Sequence, residues 1–226
     1  MLRILRKIPF LSQLSPKDLN EIYKISKIRE YGPGEMIFSK AESAQQMFIV
    51  LGGRVKIFAR SGGRKRKTFA YLEVGDFFGE MALVEGKSRS ASAEAVDYSK
   101  LLVIQKNDFK RLLISDPHLS YYLLKSVSER LRKANEEIED LLFRNILGRV
   151  AKALAQLASR GKRLGDGVLL VQNFTQQELA DLVGTTREPL TRALSTLRRA
   201  QLVEARKGRY WIRDMGKLQA LCRTQS

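Results

Sequence analysis

Apolar positions change their spacing several times along the chain. Up to about residue 30 they recur at helical intervals, at Leu11, Leu14, Leu19, Ile22 and Ile25, which predicts helix. From Tyr31 the pattern breaks into short runs punctuated by glycine. In MFIVLGGRVKIFAR, Gly52-Gly53 separates two strand-like runs, the signal of a hairpin. In the second run Val55, Ile57 and Ala59 alternate with Arg54, Lys56 and Phe58, so one face is predicted to be buried. RSGGRKRKTFAYLEVGDFFGE repeats the arrangement around Gly62-Gly63, and SASAEAVDYSKLLVI adds further strand. A β-rich domain is therefore predicted over roughly 31–104, closed by the helical KNDFKRLLISDP.

Pro117 opens a long helical stretch to about Phe143. Leu124, Val127, Leu131, Ala134, Ile138 and Leu141 are spaced 3, 4, 3, 4 and 3 residues apart. This is an a/d seam with charged flanks, and it predicts a two-stranded coiled coil joining a two-fold homodimer. Asn145 is placed to cap a further helix, with Ile146, Val150, Leu154 and Leu157 on its apolar face. A loop, GKRLGDG, and a short strand at Val168–Val171 follow.

FTQQELADLVGTTREPLTRALSTLRRAQLV carries the most specific pattern. Leu179, Ala180 and Val183 make one face of a short helix, and Gly184 supplies a tight turn. Thr185 or Thr186 is placed to cap a second helix whose inner face is Leu190, Leu194 and Leu197. Pro189 is tolerated there, because first-turn N–H groups have no helical partner. Arg187, Glu188 and Arg192 then lie outward at the helix start. Arginine can fork onto guanine O6 and N7, and glutamate can accept from cytosine N4. The following EARKGRYWIRD, with Lys207-Gly208 at its turn, reads as a hairpin whose basic tip can meet phosphate.

Charge sharpens this division. Residues 1–116 hold 21 basic and 13 acidic side chains, net +8; residues 117–143 hold 4 and 5, net −1; residues 144–226 hold 16 and 6, net +10. The excess per residue is greatest at the C-terminal end, which points to a polyanion there. The single cysteine, Cys222, and single histidine, His118, exclude a disulfide framework and a cysteine- or histidine-rich metal site within one chain. No apolar run approaches the ~20 residues of a membrane span. The N-terminal MLRILRKIPF reads as a short amphipathic helix rather than a signal peptide. A cytoplasmic protein without metal or prosthetic group is expected.

The remaining chemistry lies in FGEMALVEGKSRSASAEA. Arg89 and Ser90 among small residues suggest an anion seat, yet Glu80 beside it would repel an anion. Both make sense together if the ligand also brings a hydroxyl for Glu80 to accept, as a sugar phosphate does.

From about residue 5 to 215 the chain resembles the cyclic-AMP receptor protein (Crp–Fnr) superfamily of bacterial transcription regulators. The resemblance implies an α+β architecture in three parts: a β-roll cyclic-nucleotide-binding sensor domain over 1–116, a dimerisation helix and hinge over 117–144, and a winged helix-turn-helix over 145–226. It implies a cyclic-nucleotide effector, cAMP first, held by Gly79, Glu80, Met81, Arg89 and Ser90, with Asn135 reaching it across the dimer. Glu80 would accept the ribose 2′-hydroxyl, while Arg89 and Ser90 would hold the phosphate. It further implies DNA contacts by Thr175, Thr186, Arg187, Glu188, Arg192 and Lys207, to an inverted-repeat operator with half-sites like TGTGA. RNA polymerase is an implied partner; a membrane is not. The chain departs from the family's cAMP receptors on the dimer helix, where Ala134-Asn135 replaces Thr followed by Ser or Asn. The effector is thus open between cAMP, another cyclic nucleotide or dinucleotide, and none. A cluster of cysteine ligands for iron–sulfur sensing is absent, and haem sensing is disfavoured by the lone His118. An enzyme is disfavoured, since no base–nucleophile pair or metal set appears. A nucleotide-responsive subunit acting on a protein has no need of the C-terminal motif. The basic run Arg60, Arg64, Lys65, Arg66 and Lys67 has no assigned role.

Overall fold

The structure, a computed structural model, describes residue 8 and residues 16–60, 66–159, 161–164, 167–169, 174–206 and 209–222. The expected N-terminal helix over MLRILRKIPF, apart from Ile8, the loop tip at 61–65 and Lys207 fall outside these residues. The chain divides into two compact units, Met1–Ala59 with Phe69–Leu131, and Arg60–Thr68 with Arg132–Ser226.

The first unit is built on two four-stranded sheets, except that Arg60 and residues 66–68, at two strand ends, belong to the second unit. One has the order β1-β8-β3-β6, with β1 Lys27–Tyr31, β8 Ser99–Gln105, β3 Gln46–Gly52 and β6 Phe77–Phe78; the other has the order β2-β7-β4-β5, with β2 Met36–Phe38, β7 Ser92–Ala95, β4 Val55–Arg60 and β5 Arg66–Leu72. Strands β3 and β8 are nearly continuous apolar runs because both of their faces are covered. Phe48, Val50, Leu101 and Val103 pack inside the roll with Tyr31, Phe38, Phe78 and Ala95. Their neighbours Met47, Ile49, Leu102 and Ile104 face the other way. They pack against α1 (Pro16–Ile25) through Leu19 and Ile22, and against α3 (Lys106–Ser115) through Phe109. Alternating residues therefore belong to two separate cores.

Three expectations are corrected here. The helical spacing stops at Ile25, and Lys27–Tyr31 is already a strand, paired with β8 in the register Ile28↔Leu102. Strands β3 and β4 do not form a hairpin together but lie in different sheets. Gly53, at φ +74°, carries the crossing, and a Cβ there would meet the Tyr98 carbonyl oxygen at 2.3 Å. In β4, Val55 and Phe58 are buried while Ile57 and Ala59 are only half-buried. The short strand does not keep a two-residue alternation of burial.

Helix α2 (Glu80–Glu85) follows β6, and α4 (Pro117–Phe143) begins in the core of the first unit through Leu119 and Leu123. Farther along, Leu124, Leu131, Ile138 and Leu141 are more than half exposed. An apolar seam left in water on one chain is costly, and it carries the spacing read from the sequence.

In the second unit, Asn145 caps α5 (Ile146–Ala158) by accepting from Gly148 N at 2.9 Å, as expected. Helices α6 (Gln176–Val183) and α7 (Arg187–Arg199) are joined through Gly184 at φ +75°. Leu179, Ala180, Val183, Leu190, Leu194 and Leu197 are all buried. Strands β11 (Val203–Arg206) and β12 (Arg209–Ile212) form the wing hairpin, in a sheet ordered β11-β12-β10-β9 with β10 Gly167–Leu169 and β9 Lys162–Leu164. Helix α8 is Met215–Leu221.

Candidate functional site

In the first unit the link between β6 and α2 places buried polar groups beside a cluster of Phe38, Phe48 and Phe78. Gly79 precedes α2 at φ +83°, a left-handed conformation open mainly to glycine. A Cβ at this position would lie 2.6 Å from Arg89 Nη1. The bare backbone instead lets Nη1 donate to the Gly79 carbonyl at 2.7 Å, while Nη2 donates to the Gln46 carbonyl at 2.6 Å. The guanidinium carbon sits 4.1 Å from the centroid of the Phe38 ring. Arg89 is thus locked in orientation and buried, and burial lowers its pKa, against the pull of Glu42 and Glu80.

Glu80, the first residue of α2, is 1% exposed. Its Oε1 accepts from Arg130 Nη1 at 2.7 Å, and Arg130 Nη2 donates to the Phe77 carbonyl at 2.5 Å. Burial pushes the Glu80 carboxyl above the usual carboxylate range, outweighing the opposing attraction of Arg130. Arg130 is absent from the residues read as candidates in the sequence. A signal was available, because Arg130 lies seven residues beyond Leu123, on the stripe of α4 that starts at buried Leu119 and Leu123.

Two polar atoms of this cluster are buried with no hydrogen-bond partner among the described residues: the acceptor Glu80 Oε2 and the donor Arg89 Nε. Buried groups of this kind are costly unless something satisfies them. A ligand that brings a hydroxyl donor and an anionic oxygen matches the pair. Ser90 and Met81 are exposed beside them in sequence. The structure therefore brings Gly79, Glu80 and Arg89 together. Asn135 is exposed on α4, in the second unit.

The second unit presents the basic face. Thr175 caps α6 in a capping box: its hydroxyl accepts from Glu178 N at 3.2 Å, and Glu178 Oε2 accepts from Thr175 N at 2.7 Å. Thr186 stands at the N-cap of α7 without a side-chain cap bond. Arg187, Glu188 and Arg192 are exposed on the first turns of α7, and Arg192 pairs with Glu188 at 3.5 Å. Pro189 is the third residue of that helix, where no intrahelical donor is needed. Of the basic run, Lys67 donates to the Leu182 carbonyl at 2.7 Å and pairs with Glu137 at 3.1 Å, all three within the second unit. Among the described residues no helix is long and apolar enough to cross a membrane, and no metal-ligand cluster occurs.

The family model of the cyclic nucleotide-binding domain matches residues 28–116, and that of the Crp-like helix-turn-helix domain matches residues 148–221. The chain is 32% identical over 213 residues to the cyclic AMP receptor protein of Thermus thermophilus, covering 94% of this chain and 96% of that one. It is 28% identical over 215 residues to a CRP-like cAMP-activated global transcriptional regulator of Mycobacterium tuberculosis, covering 95% and 92%. Its fold is similar to that of the c-di-GMP-responsive global regulator of Xanthomonas campestris, with a TM-score of 0.79 at 24% identity over 88% of this chain and 100% of that one. A match to the cyclic nucleotide-binding domain, a helix-turn-helix and similarity over 94% of the chain agree, and the protein belongs to the Crp–Fnr family of DNA-binding transcription regulators.

Proposed function

We propose that this protein is a homodimeric, sequence-specific regulator controlled by a cyclic nucleotide, with cAMP the first candidate. The observation that carries the reading is Glu80 Oε2, a buried carboxylate oxygen with no partner among the described residues. A ribose 2′-hydroxyl is the donor it lacks, and Arg89 with Ser90 supplies N–H and O–H groups for the cyclic phosphate. The relatives named for cAMP support the same class.

Signal transfer runs through Arg130. It joins Glu80 to α4, the helix that carries the exposed seam. A hydroxyl donated to Glu80 redistributes charge on the carboxylate that holds Arg130, and so biases one arrangement of paired α4 helices over another. The paired helices would set two copies of α7 about 34 Å apart, one turn of B-DNA, for an inverted-repeat operator. Arg187, Glu188 and Arg192 read bases; Thr175, Thr186 and Lys207 serve the backbone. RNA polymerase is the expected protein partner, the cytoplasm the expected compartment, and no prosthetic group or catalytic activity is needed.

One observation favours a second effector. Ala134 offers no side-chain hydrogen bond to a base edge, so a cyclic nucleotide other than adenine, or a cyclic dinucleotide, is the alternative. Calorimetric titration of the full-length protein with a panel of cyclic mono- and dinucleotides decides between them. Saturable cAMP binding with an inverted-repeat DNA response supports the first reading, and silence across the panel refutes control by a cyclic nucleotide.

A further inference from the structure

We propose that Gln176 is a positioning residue for base recognition, setting which edge of Arg187 meets the DNA. The inference rests on the reading of Arg187 as a base contact and deepens it.

Gln176 is the first residue of α6, directly after the capping box formed by Thr175 and Glu178. That box fixes the backbone from which the half-buried Gln176 side chain projects. The tight turn at Gly184 brings the start of α7 beside it, although Arg187 is eleven residues away in sequence. Gln176 Oε1 accepts from Arg187 Nε at 3.2 Å and lies 3.3 Å from Thr191 Oγ1. Thr191 Oγ1 also lies 2.8 Å from the Arg187 carbonyl, to which it donates. The amide oxygen therefore holds the side chain of Arg187, while Thr191 closes on the Arg187 backbone one turn later on the same helix.

A guanidinium can approach the two acceptors of guanine side-on, through Nε and one Nη, or end-on, through Nη1 and Nη2. With Nε held by Gln176 the side-on approach is closed and the end-on fork remains. A free arginine on an exposed helix start samples many rotamers, and reaching one geometry on DNA costs that freedom. Gln176 removes part of the cost before DNA arrives. Arg192 is oriented differently, by Glu188 at 3.5 Å, so the effect belongs to the base read by Arg187 alone.

The test uses the full-length protein and a duplex selected by it from random sequence, with a scrambled duplex as reference. Gln176→Leu keeps the side chain's size and removes the acceptor. It is expected to weaken cognate binding about 3- to 10-fold while leaving scrambled binding, the salt slope and the melting temperature unchanged. In the Arg187→Ala background, Gln176→Leu is expected to add nothing. Replacing the selected guanines one at a time by 7-deazaguanine is expected to remove the Gln176 effect at a single position of each half-site. Equal loss on both duplexes, or a loss that simply adds to that of Arg187→Ala, overturns the proposal while leaving Arg187 a base contact. Should Arg187→Ala itself keep the parental ratio of cognate to scrambled binding, the base-contact reading falls and the proposal falls with it.

Discussion

Replacing Glu80 by Gln separates what this carboxylate does for the ligand from what it does for the fold. Its side chain is buried, and ionisation is disfavoured on balance because desolvation outweighs the attraction of Arg130. Glutamine keeps the shape and an oxygen that can accept from Arg130 Nη1, which now sits 2.7 Å from Glu80 Oε1. Because desolvation outweighs the attraction of Arg130, and Arg130 is partly exposed, a neutral amide that still accepts from Arg130 is expected not to destabilise the fold above the carboxylate range. The pH dependence has a definite sign. A carboxyl whose folded pKa lies above its unfolded value contributes no penalty below the unfolded value. It contributes its full penalty above the folded one, so stability falls as pH rises between the two. The difference in melting temperature, Glu80→Gln minus parent, should therefore grow across that window and level off beyond it. For the ligand the change is adverse. A hydroxyl donating to a carboxylate contributes about 1.5–3 kcal/mol more than an unmade bond, so affinity for cAMP, or whichever cyclic ribonucleotide binds, should fall about 10- to 100-fold. The parent should prefer the ribo over the 2′-deoxy ligand, and the variant should lose most of that preference. Calorimetry with the paired ligands and scanning calorimetry over pH measure the two effects. An unchanged ribo/deoxy ratio in Glu80→Gln would refute the assignment of Glu80 Oε2 to the hydroxyl.

Three further outcomes test other parts of the molecule. Leu131, 62% exposed in the single chain, should tolerate Asp within one protomer but bury that charge in a paired seam at about 3–5 kcal/mol; sedimentation is expected to show monomers, and a persisting dimer refutes the seam. Gly79→Ala forces a side chain into φ +83° and sets its Cβ 2.6 Å from Arg89 Nη1. A backbone penalty of about 1–2 kcal/mol and weaker binding of the phosphate ligand are expected, read by melting and titration. Arg192→Ala should lose about 1–3 kcal/mol at a cognate site and relax the preference for one guanine; equal loss on scrambled DNA over a salt series would make it a phosphate contact instead.

How much was legible depended on the range of the interaction. The a/d seam of α4, the Asn145 cap, the Gly184 turn and the inner faces of α6 and α7 each repeat or terminate within a few residues, so local spacing and one special residue suffice to specify them. In FGEMALVEGKSRSASAEA the closeness of Glu80 and Arg89 in sequence was legible, and both side chains are buried. The sequence could not show that this carboxylate is held by Arg130, fifty residues away and on another helix. Nor could local pattern distinguish a β3–β4 hairpin from a crossing between sheets, because glycines serve both and only pairing with β8 or β7 decides. The strand Lys27–Tyr31, with three charged residues in five, exists because β8 offers it a ladder of backbone partners. Gln176 and Arg187 likewise meet only after a turn folds two helices together. Periodicity and capping are properties of neighbouring residues and are written along the chain. Strand partnership, burial of Phe58 and the orphaned atoms of Glu80 and Arg89 depend on which distant surfaces close over them, and that is settled only by the packed tertiary structure.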